Sequence, residues 1–207
     1  MLIHVESAPS TSSGPVHIDQ RVTLHGVTWA QYEALLAMRG ESSALRVTYL
    51  DGELEIMAPS TDHECLKTCI ARLLEAWAEE MDIPLEGYGS WTVKQMEKKR
   101  GVEPDECYFV GPVRTDRPDL AIEVVWTSGG IDKLDVYRAL RVPEVWIWEQ
   151  GALTFHLLGE NDYAQAPRSA LLPALDPALI VQCMSAPSQT AAVKQLRAEL
   201  RALRAGG

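Results

Sequence analysis

Apolar residues at helical spacing predict two helices in the first half of the chain. Residues 28–39 and residues 60–82 both repeat apolar side chains every three or four positions, which gives each segment one buried face. The second segment opens with Thr61 and Glu64, the spacing of a capping box that satisfies two otherwise unpaired backbone donors. The longer segment is the clearest helix in the sequence.

Short β-rich runs predict strands along the rest of the chain. Two runs flank Asp51-Gly52, a residue pair typical of two-residue hairpins. "VPEVWIWE" is a further strand and forms a hairpin with "GALTFHLL". The remaining predicted elements are strands over 89–94, 102–110 and 120–126, a helix over 131–141 and an amphipathic tail helix over 190–205.

This order of elements predicts an α/β or α+β fold with a mixed central sheet flanked by helices. The 207 residues are enough to bury one good core. We expect a flexible N-terminal tail (1–16) rich in Ser, Pro and Thr, one domain (17–185), and a C-terminal amphipathic helix (186–207).

The formal net charge of −10 argues against extensive nucleic-acid contact, because proteins that hold phosphates tightly are usually basic. Any such contact needs a local basic patch. Apolar stretches fall far short of the ~20 residues of a membrane helix, and the N-terminus lacks a secretory signal pattern, so no membrane partner and a cytoplasmic location are expected. The four cysteines contain no C-x-x-C pair, which favours small core residues over a zinc site.

Carboxylates in the apolar strand over 120–126 and just before it need a neutralising partner. Strand alternation places Asp119 and Glu123 on one face but about 13 Å apart, too far to share one ion. Asp105, in the preceding strand, lies beside Glu123 if the register allows, because neighbouring strands are about 4.8 Å apart. Two adjacent carboxylates are stable together if one is protonated or a divalent cation lies between them, and oxygen ligands suit Mg²⁺ or Mn²⁺. The alternative is a pair of solvated charges at strand ends.

Lys133 is the predicted cation for these carboxylates. It lies three or four positions from Val136 and Tyr137 on the predicted helix, on the side that faces inward. Lys133 therefore leans toward the sheet near Glu123. There it either forms an internal ion pair or stabilises developing charge beside a metal.

At these residues the sequence resembles the Uma-two family of bacterial endonucleases, a branch of the restriction-endonuclease-like PD-(D/E)XK superfamily. The matching stretches run from about Leu45 to Leu158 and form an ordered set. They are "DGELEIMAPSTDHE", "VEPDECYFV", "RPDLAIEVV" and "KLDVYRALRVPEVWIWE" with the hairpin that follows.

The resemblance implies an αβββαβ core with a magnesium-dependent phosphodiesterase site. The aspartate of the "PD" motif falls on Asp105 and the acidic residue of the third motif on Glu123. The superfamily pattern then requires a lysine where this chain has Val125, and the role passes to Lys133 from the next helix.

An acidic residue from the early part of such folds usually completes the site. Glu55 is the leading candidate, with Glu53 and Glu64 as alternatives. His63 is a further candidate for the catalytic set, although a single histidine near a helix start is more often a surface residue.

The implied activity is Mg²⁺- or Mn²⁺-dependent hydrolysis of DNA, with Asp105 and Glu123 as metal ligands. Two alternatives stay open: an inactive nuclease-fold protein that binds a partner, and a metal-dependent hydrolase of a small phosphorylated molecule. Two basic segments are candidate DNA contacts. One is the turn formed by Lys94, Lys98, Lys99 and Arg100, and the other is the tail helix, for which docking or homodimer formation is favoured.

Overall fold

The structure is a computed structural model that describes residues 3–5, 18–42, 44–113, 116–126 and 129–205. Within these ranges the chain forms twelve β-strands and five α-helices. The strands are β1 (Ile3–Val5), β2 (Gln20–His25), β3 (Arg46–Leu50), β4 (Glu53–Ala58), β5 (Leu85–Gly87), β6 (Val93–Gln95), β7 (Arg100–Val102), β8 (Glu106–Val110), β9 (Leu120–Val125), β10 (Glu144–Glu149), β11 (Ala152–Leu158) and β12 (Tyr163–Ala166). The helices are α1 (Trp29–Arg39), α2 (Thr61–Met81), α3 (Lys133–Leu140), α4 (Pro177–Met184) and α5 (Gln189–Ala205).

The strands form two six-stranded sheets. The mixed sheet has the order β12-β11-β10-β9-β8-β5, in which β9 and β10 are parallel and α3 is the crossover between them. The antiparallel sheet has the order β1-β2-β4-β3-β7-β6. The predicted fold class, a mixed sheet with flanking helices, is confirmed, and the antiparallel sheet adds a second layer to it.

The two faces of the mixed sheet pack against different elements. On one face, Ile122, Trp146 and Phe155 pack with Trp77 of α2 and Leu196 of α5 in the largest apolar cluster. On the other face, buried side chains of β9, β10 and α3 meet those of β6 and β7. The second cluster includes Ala121, Val145, Val136, Tyr137, Val93 and Val102. The carboxylates of interest lie on this second face, between the two sheets.

The turn and caps of the first elements follow the local sequence closely. Asp51 and Gly52 have φ values of 46° and 98°, the left-handed backbone that a tight hairpin between β3 and β4 requires. The α2 helix begins as predicted, but its cap is one residue earlier than the capping-box spacing indicated. The Ser60 hydroxyl, rather than that of Thr61, accepts from the backbone N–H of His63 at 3.2 Å.

The strand predicted over 102–110 is wrong as a single element. It divides into β7 and β8, which belong to different sheets, with Pro104 between them. Proline has no N–H to continue a ladder, and the buried Glu103 accepts from Val47 N–H at 2.9 Å instead of extending either strand. The chain thus crosses from one sheet to the other immediately before Asp105. The strand predicted over 89–94 shortens to β6.

Both ends of the chain contribute an element that packs on the rest of the fold. In the predicted tail (1–16), Ile3–Val5 forms β1 beside β2, while residues 6–16 lie outside the described ranges. The α5 helix docks on α2 and α4 through the buried Leu196 and Leu200, in line with the docking interpretation. No helix in the described part of the chain combines the length and apolarity needed to cross a bilayer. The homodimer stays a prediction.

Glu144 in the "PEVW" stretch gives a prediction about stability. Its buried carboxylate accepts from Trp146 Nε1 at 2.5 Å and from the N–H groups of Ala170 and Leu171 at 3.0 and 3.1 Å. We expect Glu144→Ala to lower the free energy of unfolding by about 2–3 kcal/mol, because the buried indole N–H of Trp146 and two partly buried backbone N–H groups lose their acceptor. Urea unfolding measures this, with Glu149→Ala at the exposed end of β10 as the control. Equal stability of the two variants would contradict the prediction.

Candidate active site

The register between β8 and β9 brings Asp105 beside Glu123. The ladder pairs Glu106 with Ile122 and Cys107 with Ala121, so one step further sets Asp105 opposite Glu123. The backbone N–H of Val124 donates to Asp105 Oδ2 at 2.8 Å. Asp105 is 0% exposed and Glu123 4% exposed, so they are not solvated charges at strand ends.

Lys133 and Tyr137 hold the two oxygens of Glu123. Lys133, the first residue of α3, places its Nζ 2.5 Å from Glu123 Oε2, and the Tyr137 hydroxyl donates to Oε1. The inward lean of Lys133 predicted from helical spacing is therefore observed. Its ammonium supplies the positive charge that the buried carboxylate needs.

Electrostatics link Lys133 to both neighbouring carboxylates. Burial, reinforced by the charge of Asp105, raises the pKa of Glu123 above its usual range, while Lys133 opposes that rise. Burial disfavours the ammonium, but Glu123 and Asp105 together raise the pKa of Lys133 above its ordinary value. Burial and the Glu123 carboxylate raise the pKa of Tyr137, so its hydroxyl stays protonated and donates.

Glu55 is the early acidic residue that the fold brings to this place. It lies on β4, is 2% exposed, and its Oε2 accepts from Ile131 N–H at 3.1 Å and lies 3.5 Å from Arg21 Nε. The two alternatives lie elsewhere. Glu53 pairs with His25 at the surface, and Glu64 pairs with Arg46 and Lys67.

A cavity of about 280 Å³ opens beside these groups. Its polar lining includes Glu55, Glu123, Lys133 and Arg21, and the rest is largely apolar, from Met57, Val125, Leu134, Val145 and Ile147. Val125 thus lines the cavity at the position where the superfamily pattern has lysine. Asp105 does not line the cavity and is buried.

His63 is buried between two carboxylates, so the expectation of a surface histidine is wrong. Its Nε2 lies 3.0 Å from Asp105 Oδ2 and its Nδ1 lies 3.0 Å from Asp19 Oδ2, while Asp19 Oδ1 accepts from Ser60 N–H at 2.7 Å. Burial opposes the imidazolium, but the two carboxylates raise the pKa of His63 to about 9. His63 and Lys133 together hold the pKa of Asp105 well below its usual range against the effect of burial.

Sequence reasoning missed several members of this site. Asp19 lies three positions after the last residue of the predicted tail (1–16), and no spacing connects it to His63. Arg46, 3% exposed with its Nε 3.8 Å from Asp105 Oδ1, could have been found by the rule applied to Glu123, since it is a charge in an apolar strand. Arg21 gave no such signal, and Tyr137 was recognised only as an inward-facing residue.

The basic turn lies on β6, β7 and the short 3-10 helix Met96–Lys98, and most of its charges have partners within the molecule. Lys94 pairs with Glu33 at 2.7 Å, and Arg100 pairs with Asp51 at 2.7 Å. Lys98 donates to the backbone carbonyl of Ala139. A DNA contact through this turn stays a prediction.

The donor chemistry fits a hard divalent cation, although no group of three or more His, Cys, Asp and Glu side chains in the described residues forms a complete metal cage. Asp105 Oδ1 is buried and has no hydrogen-bond partner among the described residues. A bound cation would satisfy that oxygen. Mg²⁺ is usually held by one or two carboxylates plus waters and substrate oxygens, so Asp105 and Glu123 meet its needs.

A family model matches most of the chain. The family model Uma2, described as a putative restriction endonuclease, matches residues 29–187. The chain belongs to the Uma2 family. The matched range includes Glu55, His63, Asp105, Glu123 and Lys133, but it leaves out Asp19 and Arg21.

The Uma2 fold is also found in a crystal structure of a putative nuclease belonging to DUF820 from Anabaena variabilis. That chain is 12% identical to this one, with a TM-score of 0.50, and the alignment covers 82% of this chain and 99% of the other. At this identity the likeness shows the fold alone. Among curated proteins, none matches the chain.

The buried imidazolium predicts a pH-dependent stability. Because the pKa of His63 is raised from 6.5 to about 9 by folding, its contribution is fully present below pH 6.5 and is lost as the pH rises through about 9. We expect the metal-free protein to lose on the order of 2–3 kcal/mol across this window. Denaturant unfolding in EDTA measures the loss, and His63→Asn should flatten the profile. An unchanged slope in the variant would refute this assignment.

Gly130 gives a second prediction about the site. Its φ is +95°, and a Cβ at this position would lie 2.0 Å from Glu55 Oε2. We expect Gly130→Ala to displace the Glu55 carboxylate from the Ile131 N–H and to weaken Mn²⁺ binding about tenfold. Calorimetric titration checks this, with Gly151→Ala in the hairpin between β10 and β11 as a control with similar backbone strain (φ +80°). Equal affinities in both variants would show that Glu55 can move without consequence.

Proposed function

We propose that this Uma2 protein is a Mg²⁺- or Mn²⁺-dependent endonuclease that hydrolyses DNA phosphodiesters. The observation that carries the proposal is the meeting of Asp105, Glu123 and Lys133 from separate parts of the chain, with Glu123 and Lys133 on the lining of a cavity and Asp105 buried beside Glu123. Asp105 and Glu123 would hold the ion. When bound, such an ion supplies charge neutralisation at the phosphate and acidifies an attacking water.

We assign to Lys133 the role of the motif lysine, because this chain has Val125 at the motif position. Its Nζ lies on the cavity lining and contacts Glu123, so it can donate to a non-bridging phosphate oxygen or orient the attacking water. Tyr137 donates to the second oxygen of Glu123, so Lys133 does not have to satisfy both oxygens. Glu55 provides a further carboxylate on the cavity lining.

His63 and Asp19 orient and stabilise the Asp105 carboxylate. The line of contacts from Asp19 through His63 to Asp105 fixes the plane of the Asp105 carboxylate. It also keeps that carboxylate ionised, which a metal ligand requires. We assign His63 as a positioning residue, since it contacts Asp105 and Asp19 and does not line the cavity.

Plasmid nicking with Mg²⁺ and Mn²⁺ tests the proposed activity. We expect cleavage by the parent protein and its loss, by about 100-fold or more, in Asp105→Ala and Glu123→Gln. Glutamine keeps the size of Glu123 and one acceptor oxygen, which can take the hydrogen bond from Lys133, whereas alanine removes both acceptors and leaves a buried ammonium beside an empty space. Glu53→Ala, an exposed carboxylate on the same strand as Glu55, is the matched control.

The outcomes separate the three hypotheses for the chain. Cleavage that persists in both variants, with folding intact by circular dichroism, would place the activity in a contaminant or another site. Mn²⁺ binding without cleavage of any DNA would favour a hydrolase of small phosphorylated molecules. Absence of both Mn²⁺ binding and cleavage would leave an inactive nuclease fold that binds a partner.

A further inference from the structure

Arg21 has an unusual position for a strand arginine. It lies on β2, its side chain is 19% exposed, and it lines the same cavity as Glu55, Glu123 and Lys133. Its guanidinium reaches across the cavity mouth to the backbone carbonyl of Gly129.

Besides the Gly129 carbonyl, this guanidinium has two contacts in the described part of the chain, and both of them are long. Nε lies 3.5 Å from Glu55 Oε2, and Nη2 lies 3.5 Å from the thioether sulfur of Met57. Nε is buried and makes no hydrogen bond within the described residues. By contrast, the Lys133 ammonium is 2.5 Å from its carboxylate partner. Arg21 is therefore held less closely by its carboxylate partner than Lys133 is by Glu123.

We propose that Arg21 is a binding residue for the phosphodiester anion, and that it exchanges Glu55 for substrate. Without a metal, Arg21 neutralises Glu55. A divalent ion drawn toward Glu55 competes with the guanidinium for that carboxylate, and the released fork of donors matches two oxygens of a phosphate. This inference rests on the proposed function and adds an anion site to it.

The charges of the cavity support the exchange. The lining holds two cations, Arg21 and Lys133, and three carboxylates, Glu55, Glu123 and Asp132, so its formal charge before any ligand enters is −1. Adding a divalent ion alone leaves an excess of positive charge, which an incoming phosphate anion would offset. The ion and the anion should therefore strengthen each other's binding.

Arg21→Met tests the exchange because it should change the affinity for Mn²⁺ and the affinity for DNA in opposite directions. We expect Mn²⁺ to bind this variant about threefold tighter or more by calorimetry, since the competing cation is gone. We expect a labelled DNA oligonucleotide, with Ca²⁺ present to avoid turnover, to bind about tenfold more weakly by fluorescence anisotropy. Arg72→Met is the matched control, a half-buried arginine that donates to Gln189 at 3.1 Å far from the cavity.

Arg21→Lys distinguishes charge from the forked geometry. Lysine keeps one positive charge but cannot bond two phosphate oxygens at once, so it should restore only part of the DNA affinity. Weaker Mn²⁺ binding in Arg21→Met, or DNA affinity equal to that of Arg72→Met, would overturn the proposal. Failure of the proposed function looks different, because the parent would then cut no DNA while the opposite shifts in Mn²⁺ and DNA binding could still be measured.

Discussion

The contact between Lys133 and Glu123 is the interaction on which the interior of the molecule depends. A carboxylate in the centre of an apolar strand is costly to bury unless it is paired, and removal of one partner from such a pair typically costs several kcal/mol. Here the partner comes from the helix that follows the strand, so the pair also fixes where the crossover α3 begins. Tyr137, one turn further along, satisfies the remaining oxygen. Lys133 and Tyr137, which allow Glu123 to be buried in the core, thus also place an amine and a phenol beside that carboxylate at one cavity.

The chain's crossing between the two sheets explains why the second carboxylate lies where it does. Pro104 ends the ladder of the antiparallel sheet, and Glu103 anchors that end through Val47 and through Thr92, whose hydroxyl donates at 2.6 Å. The next residue, Asp105, is the first one able to face the mixed sheet. The proline–aspartate pair therefore determines where the carboxylate lies. It places Asp105 between the two sheets, where Arg46 and His63, from elements distant in sequence, contact it.

Much of this site was accessible from the sequence because it obeys local periodicities. The alternation of side chains in β9, the helical spacing of Lys133 and Tyr137, and the adjacency of neighbouring strands together bring Asp105, Glu123 and Lys133 to one place. Glu55 was reached through family resemblance alone. Asp19 and Arg21 were beyond reach, because their positions depend on how a second sheet packs on the first. His63 was misjudged for the same reason. Its position at the start of a helix does not reveal that Asp105 and Asp19, which come from other parts of the chain, pack against it.

The many internal ion pairs have a consequence for how this acidic protein meets a polyanion. Lys94, Arg100, Arg197 and Arg201 each have an acidic partner within the fold, including Glu79 and Glu80 for the two arginines of α5. These four side chains would have to leave an acidic partner before they could displace the monovalent ions condensed around DNA, the proposed substrate, and each displaced ion is what makes affinity fall with salt. Association should therefore show a shallow dependence on KCl concentration. Magnesium concentration, rather than ionic strength, would then set when the protein engages its target in a cell.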